Sequence, residues 1–222
     1  MDAINDAIKQ IVEKELSCAA HSMDHVMRVY NLCLHLAKYE ENVDMEVLLP
    51  AALLHDIARV KEDTDQSRSI DHALLGADMA EEILESMDFL REKIDDVKAC
   101  IVSHRFRNDN EPVSIEAKIL FDADKIDVLG AVGIARTYML AGQYRQLLYT
   151  DVPVVEYVKG NIKESGRIKE ISKHAPNIEY EMKFKKIPDM LYTSKAREIA
   201  KERLKYMEGY FKRLEEEVKG EE

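Results

Sequence analysis

Apolar residues recur at steps of three and four along most of this 222-residue chain, and this spacing constrains the fold more than any other feature. Because an α-helix has about 3.6 residues per turn, such spacing places the apolar side chains on one helix face. The clearest case is a long helix predicted from Ser194, with an apolar stripe of Ala196, Ile199, Ala200, Leu204, Met207, Phe211, Leu214 and Val218. Gly (8) and Pro (5), which interrupt helices, are both scarce. The pattern predicts an all-α fold.

The helical spacing is lost in the segments 59–71 and 142–189, and two glycines lie within one predicted helix. The polar stretch 59–71 lacks an apolar period and predicts a loop, ended by Asp71 as the N-cap of the next helix. The helix predicted after residue 114 is either interrupted or tightly packed near Gly130 and Gly133. The segment 142–189 mixes tyrosines, lysines and three prolines, and it gives no clear prediction.

Composition excludes several classes of partner. The formal net charge of -11 repels polyanions, so we expect no nucleic-acid binding, although a metal or a few cations could still attract a small anion into a pocket. The longest apolar run, 47–54, is too short to span a membrane, so we expect no membrane association. Cys18, Cys33 and Cys100 form no paired pattern, which indicates reduced thiols and a cytoplasmic protein.

The doublet His55-Asp56 is the most unusual feature of the apolar segments. It directly follows the run AALL, which predicts a buried helix. A buried carboxylate beside an imidazole is costly unless it is paired or bound to a metal. The alternative is a pair of satisfied core residues, and the doublet alone does not decide between the two interpretations.

Two further residues favour the metal interpretation. His25 lies on the preceding predicted helix, and Asp124 lies on a later one within FDADKID. Helices of a bundle can bring inward-facing ligands from separate segments to one ion. This mixture of nitrogen and carboxylate ligands suits Mn, Fe, Co, Ni, Zn or Mg, and we predict no organic cofactor.

The ordered motifs resemble those of the HD-domain metal-dependent phosphohydrolase superfamily. The resemblance lies in SMDHVMRV, AALLHDIAR, HALLGADMAEEIL, IVSH and FDADKIDVLGAVGIARTYMLAG, and in AREIAKERLKYMEGYF of the last helix. It covers about residues 15–150 and 194–215 and is closest to the stand-alone hydrolases of the superfamily. It implies an HD-domain helical bundle and metal ligands at His25, His55, Asp56 and Asp124.

The resemblance also implies roles for residues around these ligands. His72 and His104 match positions that hold a second metal, or contact phosphate, in some branches of the superfamily. Hydrolysis of a phosphate group needs cations to neutralise charge, and we predict Arg59 and Lys125 for this role. Asp127 could hold Lys125 or a water at the metal.

We predict one HD-type domain over residues 1–222, with a core at about 15–150 and a C-terminal helical extension at about 151–222 packed on it. The resemblance implies hydrolysis of a small anionic phosphorylated substrate. A nucleotide is the leading candidate for the substrate, and nucleoside triphosphate pyrophosphohydrolysis is the leading candidate for the reaction. A 5′-nucleotidase, a cyclic-nucleotide phosphodiesterase and a non-catalytic nucleotide- and metal-binding regulatory module are the alternatives. The last helix either packs inward or pairs two protomers in a homodimer.

Overall fold

The computed structural model describes residues 2–16, 23–67, 69–105, 110–164 and 166–221, and its regular structure in these ranges is helical. The all-α prediction is confirmed, since the described residues contain no strand and only one isolated antiparallel bridge, between Ile162 and Ile168. The α-helices are α1 (Asp2–Glu15), α2 (Met23–Leu36), α3 (Met45–Leu54), α4 (Arg59–Thr64), α5 (His72–Glu85), α6 (Arg91–Ser103), α7 (Ile115–Asp127), α8 (Gly130–Gln143), α9 (Val154–Asn161), α10 (Pro176–Met182) and α11 (Ser194–Lys219). Short 3-10 helices lie at Ala37–Tyr39, Ile171–Lys173 and Phe184–Met190.

The chain divides into two compact units, and the division falls near the end of α7. The first unit comprises Met1–Lys125 and Leu191–Ala196, and the second comprises Ile126–Met190 and Arg197–Glu222. The packing of residues 151–222 on a core of residues 15–150 stays a prediction.

Helix α3 forms the centre of the first unit. Its residues from Val47 to Leu54 are all buried, as expected for a helix that is apolar on every side. It packs against α1, α2, α5 and α6. A helix enclosed in this way fixes the position of whatever follows its last turn, and the residues that follow it are His55 and Asp56.

The predicted loop at 59–71 is partly wrong, because α4 occupies Arg59–Thr64. This short helix contains no buried residue, so it has no apolar stripe from which the sequence could predict it. The predicted N-cap is confirmed, since the Asp71 carboxylate accepts hydrogen bonds from the amides of Ala73 (2.9 Å) and Leu74 (3.4 Å).

Of the two alternatives predicted near Gly130 and Gly133, an interruption is present, and it separates α7 from α8. A Cβ atom at Gly133 would lie 2.1 Å from the carbonyl oxygen of Val128, which no side chain permits. Gly130 has φ +75, and a Cβ atom there would lie 3.0 Å from the side chain of Arg203 on α11. The two glycines therefore allow the sharp turn and the close approach of α11 within the second unit.

A buried carboxylate anchors residues 191–196 in the first unit. Asp122 is fully buried on α7, and its two oxygens accept hydrogen bonds from the amides of Tyr192 (2.9 Å) and Thr193 (2.7 Å) and from the Thr193 hydroxyl (2.7 Å). Phe121 packs edge-on against Tyr192, with ring centroids 5.3 Å apart. These contacts fix the segment that precedes α11.

The second unit contains a buried histidine whose ring nitrogens are both hydrogen-bonded. The Nε2 of His174 lies 3.2 Å from the Glu179 carboxylate, and its Nδ1 lies 2.8 Å from the Tyr157 hydroxyl. Because a carboxylate only accepts, Nε2 carries the proton and Nδ1 accepts from Tyr157. Asn161 in turn donates to the Tyr157 oxygen at 3.0 Å. We call Tyr157, Asn161, His174 and Glu179 the His174 network.

Cys33 and Cys100 are buried free thiols, as predicted, and burial raises the pKa of Cys100 to about 12. Cys18 lies outside the described residues. Among the described helices, none has the length and apolar character needed to cross a membrane.

Candidate metal centre

Six of the predicted site residues come together in the first unit, although they belong to five separate segments. His25 lies on α2, and His55 and Asp56 follow α3. His72 begins α5, His104 follows α6, and Asp124 lies on α7. Apart from Asp124 these residues are almost completely buried, with exposed fractions of 5% or less. We call the six residues the metal centre.

The two oxygens of Asp56 face two different pairs of histidines. Oδ2 lies 3.6 Å from the Nε2 of His25 and 3.9 Å from the Nε2 of His55. Oδ1 lies 3.3 Å from the Nε2 of His72 and 3.7 Å from the Nε2 of His104. The residues therefore form two groups of potential ligands that share Asp56. Asp124 joins the first group, because its Oδ1 lies 3.4 Å from the Nε2 of His25.

Backbone carbonyls fix the protonation of two of these rings. The Nδ1 of His55 lies 2.9 Å from the carbonyl oxygen of Ala52, and the Nδ1 of His104 contacts the carbonyl oxygen of Ile101. A carbonyl oxygen only accepts, so each Nδ1 carries the proton and donates it. In the neutral ring the Nε2 then bears a lone pair, directed at the interior of the centre. This arrangement is typical of histidines that bind metals.

A carboxylate fixes the third ring in the same way. The Nδ1 of His72 lies 2.7 Å from the Glu62 carboxylate and donates to it. The guanidinium of Arg59 lies 3.0 Å from the same nitrogen and 3.2 Å from the Glu62 oxygen. Since an Nδ1 that donates cannot also accept, the Arg59 group bonds to the Glu62 oxygen. It also lies 3.4 Å from the Nε2 of His72, which carries no proton in the neutral ring.

The inward-facing nitrogens lie close together in pairs. The two Nε2 atoms of His72 and His104 are 3.3 Å apart, and those of His25 and His55 are 3.4 Å apart. Two lone pairs at such a distance repel each other unless a proton or a cation lies between them. Four histidines and two carboxylates form a donor set that fits divalent first-row metals. The residues present therefore fit the metal ion that the sequence predicts.

Burial keeps His55 and His72 neutral. It lowers the pKa of His55 to about 4, because the charged ring would lose its hydration. Burial likewise lowers the pKa of His72 to about 4, and Arg59 adds to this shift. Neutral imidazole is the form that coordinates a metal, so both rings are ready to act as ligands at neutral pH.

The two carboxylates are ionised. Burial acts to raise the pKa of Asp56, but the charge that His55 takes up at acidic pH outweighs it and holds the pKa of Asp56 well below its usual range. Burial also acts to raise the pKa of Asp124, and the adjacent Lys125 ammonium together with His25 holds it well below its usual range. The centre thus combines negative charge with neutral nitrogen donors, which favours a cation.

The predicted cations lie against the centre. Lys125 bonds to the Asp124 carboxylate at 2.8 Å and to the carbonyl oxygen of His104 at 3.0 Å. Arg59 contacts His72, as described above. Asp127 is almost fully buried and forms an ion pair with Arg136 within the second unit. A role for Asp127 at the centre stays a prediction.

Glu62 contacts the metal centre, and this contact was not predicted from the sequence. Besides orienting His72, its carboxylate bonds to Arg105 at 2.8 Å, and Arg105 reaches the Asp71 cap at 2.8 Å. The signal was the spacing of Arg59 and Glu62, three residues apart, which pairs opposite charges on a helix. It was overlooked because the segment was predicted to be a loop.

Comparison with known proteins agrees with this geometry. A family model described as HD domain matches residues 23–129. The uncharacterized protein YpgQ of Bacillus subtilis is 30% identical over 226 aligned positions, which cover 99% of this chain and 94% of YpgQ. The crystal structure of YpgQ in complex with ADP superposes with a TM-score of 0.72 at 28% identity, and covers 98% of this chain and 100% of that one. An HD-superfamily hydrolase from Bacillus thuringiensis superposes with a TM-score of 0.70 at 26% identity, covering 98% and 96%.

The fold and the buried histidine–aspartate centre are those of a metal-dependent hydrolase. This chain belongs to the HD superfamily, in the stand-alone group that includes YpgQ. Membership implies a divalent metal cofactor, in agreement with the donor set.

Proposed function

We propose that the protein is a phosphohydrolase that uses a divalent metal to cleave a nucleoside triphosphate into a nucleoside monophosphate and pyrophosphate. The observation that carries the proposal is the sharing of Asp56 between two groups of histidines whose Nε2 atoms all point inward. The ADP in the crystal structure of YpgQ supports a nucleotide as the substrate class.

In this proposal His25, His55, Asp56 and Asp124 hold one metal ion, and Asp56, His72 and His104 hold a second. Manganese is our first choice among the divalent ions that the donor set accepts. A bound divalent ion polarises phosphoryl oxygens and lowers the pKa of water. Two histidine groups around one carboxylate match the use of paired metals in phosphoryl chemistry.

The cations at the rim bind and orient the phosphates. Lys125 uses two of its three N–H donors on Asp124 and His104 among the described residues, and we assign the third to a phosphoryl oxygen. Arg59, held by Glu62 beside His72, offers a planar guanidinium that suits phosphate. Both groups would neutralise charge on the leaving pyrophosphate. Because the net charge of the chain is negative, we expect an anion to bind beside these local cations.

The test is product analysis with metal-stripped protein reloaded with Mn. The substrates are nucleoside mono- and triphosphates and cyclic nucleotides, and Asp56→Ala serves as the inactive control. Pyrophosphate from a triphosphate, with the parent protein only, is the expected result. Phosphate released from a monophosphate would instead identify a 5′-nucleotidase, and opening of a cyclic nucleotide would identify a phosphodiesterase.

A regulatory module that binds nucleotide and metal without turnover is the alternative of a different class. Tight binding of a nucleotide to the Mn-loaded protein, with no product from any substrate in the panel, would favour that module over an enzyme. Pairing of two protomers through α11 stays a prediction, and it is supported by the exposed Tyr206 and Val218 on that helix. Sedimentation of the full chain would decide it.

A further inference from the structure

Arg105 directly follows His104 at the end of α6, and its guanidinium connects this point to two other segments of the first unit. Its Nη2 lies 2.8 Å from the Oε1 of Glu62 on α4, and its Nη1 lies 2.8 Å from the Oδ2 of Asp71. Asp71 is the residue before His72, with which α5 begins. One side chain therefore bonds to two carboxylates on the His72 side of the metal centre.

Each of the two carboxylates uses its second oxygen to hold His72. The Oε2 of Glu62 accepts the proton of the His72 ring at 2.7 Å. The Oδ1 of Asp71 accepts a hydrogen bond from the amide of Ala73 at 2.9 Å, which fixes the first turn of α5. Arg105 thus acts on the ring of His72 through Glu62 and on its backbone through Asp71.

His72 and His104 need such a connection because both lie at helix ends. His72 is the first residue of α5, and His104 follows the last residue of α6. Helix ends fray more readily than the middle of a helix. The two Nε2 atoms are 3.3 Å apart. A divalent ion such as zinc bonds to imidazole nitrogen at about 2.0–2.1 Å, so the spacing of the two rings has little tolerance.

Arg59 does not supply this connection, although it also bonds to Glu62. It lies on α4 with Glu62, so their ion pair joins two residues of one helix. Arg105 instead reaches from the end of α6 to α4 and to the start of α5. Its side chain is 19% exposed, and those of Glu62 and Asp71 are 18% and 27% exposed. Solvent therefore screens these two ion pairs less than it screens pairs on an open surface.

We propose that Arg105 is a positioning residue of the metal centre. By bonding to Glu62 and Asp71 at once, it holds His72 at the distance from His104 at which one metal ion binds both rings. This role rests on the proposed function, in which the two histidines help to hold the second metal ion. Loss of Arg105 should weaken the binding of that ion and leave the binding of the first ion, on the other group of ligands, unchanged.

The experiment is calorimetric titration of the full, metal-free chain with Mn. The parent should bind two ions, and His104→Ala, which removes a ligand of the second ion, should bind one. Arg105→Met, which removes the guanidinium, should weaken the second ion by about 10- to 100-fold, the range for partners of metal ligands. In the double variant, the remaining ion should bind as tightly as it does to His104→Ala alone.

Two outcomes would overturn this role. One is a parent chain that binds a single Mn, and the other is an equal loss of affinity for both ions in Arg105→Met, which would indicate general damage to the structure. The proposed hydrolysis is decided separately by product analysis of the parent chain, because a centre with one ion can still release pyrophosphate.

Arg91→Met is the matched control, because Arg91 also bonds to carboxylates of α5 and α6, but at the other ends of these helices. It lies 2.6 Å from Glu81 and from Glu85, and 3.2 Å from Asp95. Its loss should leave the affinity for both Mn ions unchanged. A loss equal to that in Arg105→Met would refute a specific role of Arg105.

Arg105→Lys tests whether the planar guanidinium is needed. Lysine keeps the positive charge, but its compact ammonium does not span two carboxylates as the guanidinium does. The affinity for the second ion should therefore lie between those of the parent and of Arg105→Met. Parental affinity in Arg105→Lys would show that charge alone suffices and would overturn the connection of Glu62 and Asp71 as the cause.

Discussion

Buried histidines occur in both units, and the hydrogen bonds around them differ. In the second unit, His174 has both ring nitrogens bonded to protein groups, with Tyr157 on one side and Glu179 on the other. In the metal centre, three rings have their Nδ1 bonded to a backbone carbonyl or a carboxylate, and their Nε2 atoms face Asp56 and other histidines. The comparison teaches that burial alone does not mark a metal ligand. The distinguishing feature is a ring held by a hydrogen bond at Nδ1, with its Nε2 facing the interior of the centre, where an ion can bind.

The largest effect should come from removing the shared carboxylate. In Asp56→Asn the side chain keeps its shape and loses its charge, so both histidine groups lose their common anionic ligand. Because a metal contributes several kcal/mol to transition-state stabilisation, hydrolysis should fall by about 1000-fold or more. Elemental analysis should show the loss of bound metal. Glu179→Gln in the His174 network is the matched control, and loss of metal from that variant would break the comparison.

The metal-free protein should lose stability as the pH falls from about 6.5 to about 4. The unfolded chain takes up protons on His55 and His72 near pH 6.5, whereas the folded pKa of each is about 4. The contribution of these two histidines to the free energy of unfolding is therefore fully present above about pH 6.5 and is lost on acidification. A pKa difference of about 2.5 corresponds to about 3 kcal/mol for each histidine.

Urea unfolding in the presence of a chelator, at several pH values, measures this effect. In His72→Leu the loss of stability on acidification should be smaller, because His72 no longer contributes to it. Glu62 stays paired in this variant, since Arg59 and Arg105 remain its partners. Tyr206→Phe, at an exposed hydroxyl in the other unit, should leave the pH dependence unchanged. If the free energy of unfolding of the parent protein did not change between pH 4 and about 6.5, the lowered pKa values of His55 and His72 would be contradicted.

A smaller effect is expected from Glu62→Gln. The amide is a weaker acceptor for the Nδ1 of His72, so the ring loses part of its orientation and basicity. We expect metal affinity of the group containing His72 and His104 to fall by about 10-fold, the lower end for partners of metal ligands. Titration of the metal-free protein with Mn measures it. Glu81→Gln, whose carboxylate pairs with Arg91 and Lys98 and not with the centre, is the control, and an equal effect of both changes would argue against a specific role of Glu62.

The smallest effect should come from the His174 network. Tyr157→Phe removes the donor to the Nδ1 of His174 and should lower the free energy of unfolding by about 1 kcal/mol, or about 2–4 °C in Tm. Metal content and hydrolysis should not change. Tyr206→Phe, at an exposed hydroxyl, should leave Tm unchanged. A loss of metal from Tyr157→Phe would show that the two groups of histidines are not independent.

The sequence predicted the helices and most of the site because both depend on local patterns. Asp71 caps its helix through its own neighbours, and His55-Asp56 follows a buried apolar run that is visible in the sequence. The order of the motifs then supplied the long-range information that local patterns lack. These residues converge in the structure as the resemblance implies.

What the sequence did not predict depends on contacts between distant polar residues. Glu62 reaches His72 across ten positions, and Tyr157 reaches His174 across seventeen. Neither contact has an apolar period or a motif to indicate it, and His174 lies in the segment 142–189, whose composition predicts no clear structure. Such pairs are set by the packing of whole helices, so their partners could not be inferred from spacing.

The anchoring of residues 191–196 by Asp122 has a consequence for biosynthesis. The hydrogen bonds between Asp122 and Thr193 join positions 71 residues apart, so they form only after most of the chain has left the ribosome. Until then the Asp122 carboxylate lacks its three donors from Tyr192 and Thr193. A nascent chain halted before position 191 should therefore be held by chaperones or degraded. The order of translation thus delays completion of the metal-binding unit until late in the synthesis of the polypeptide.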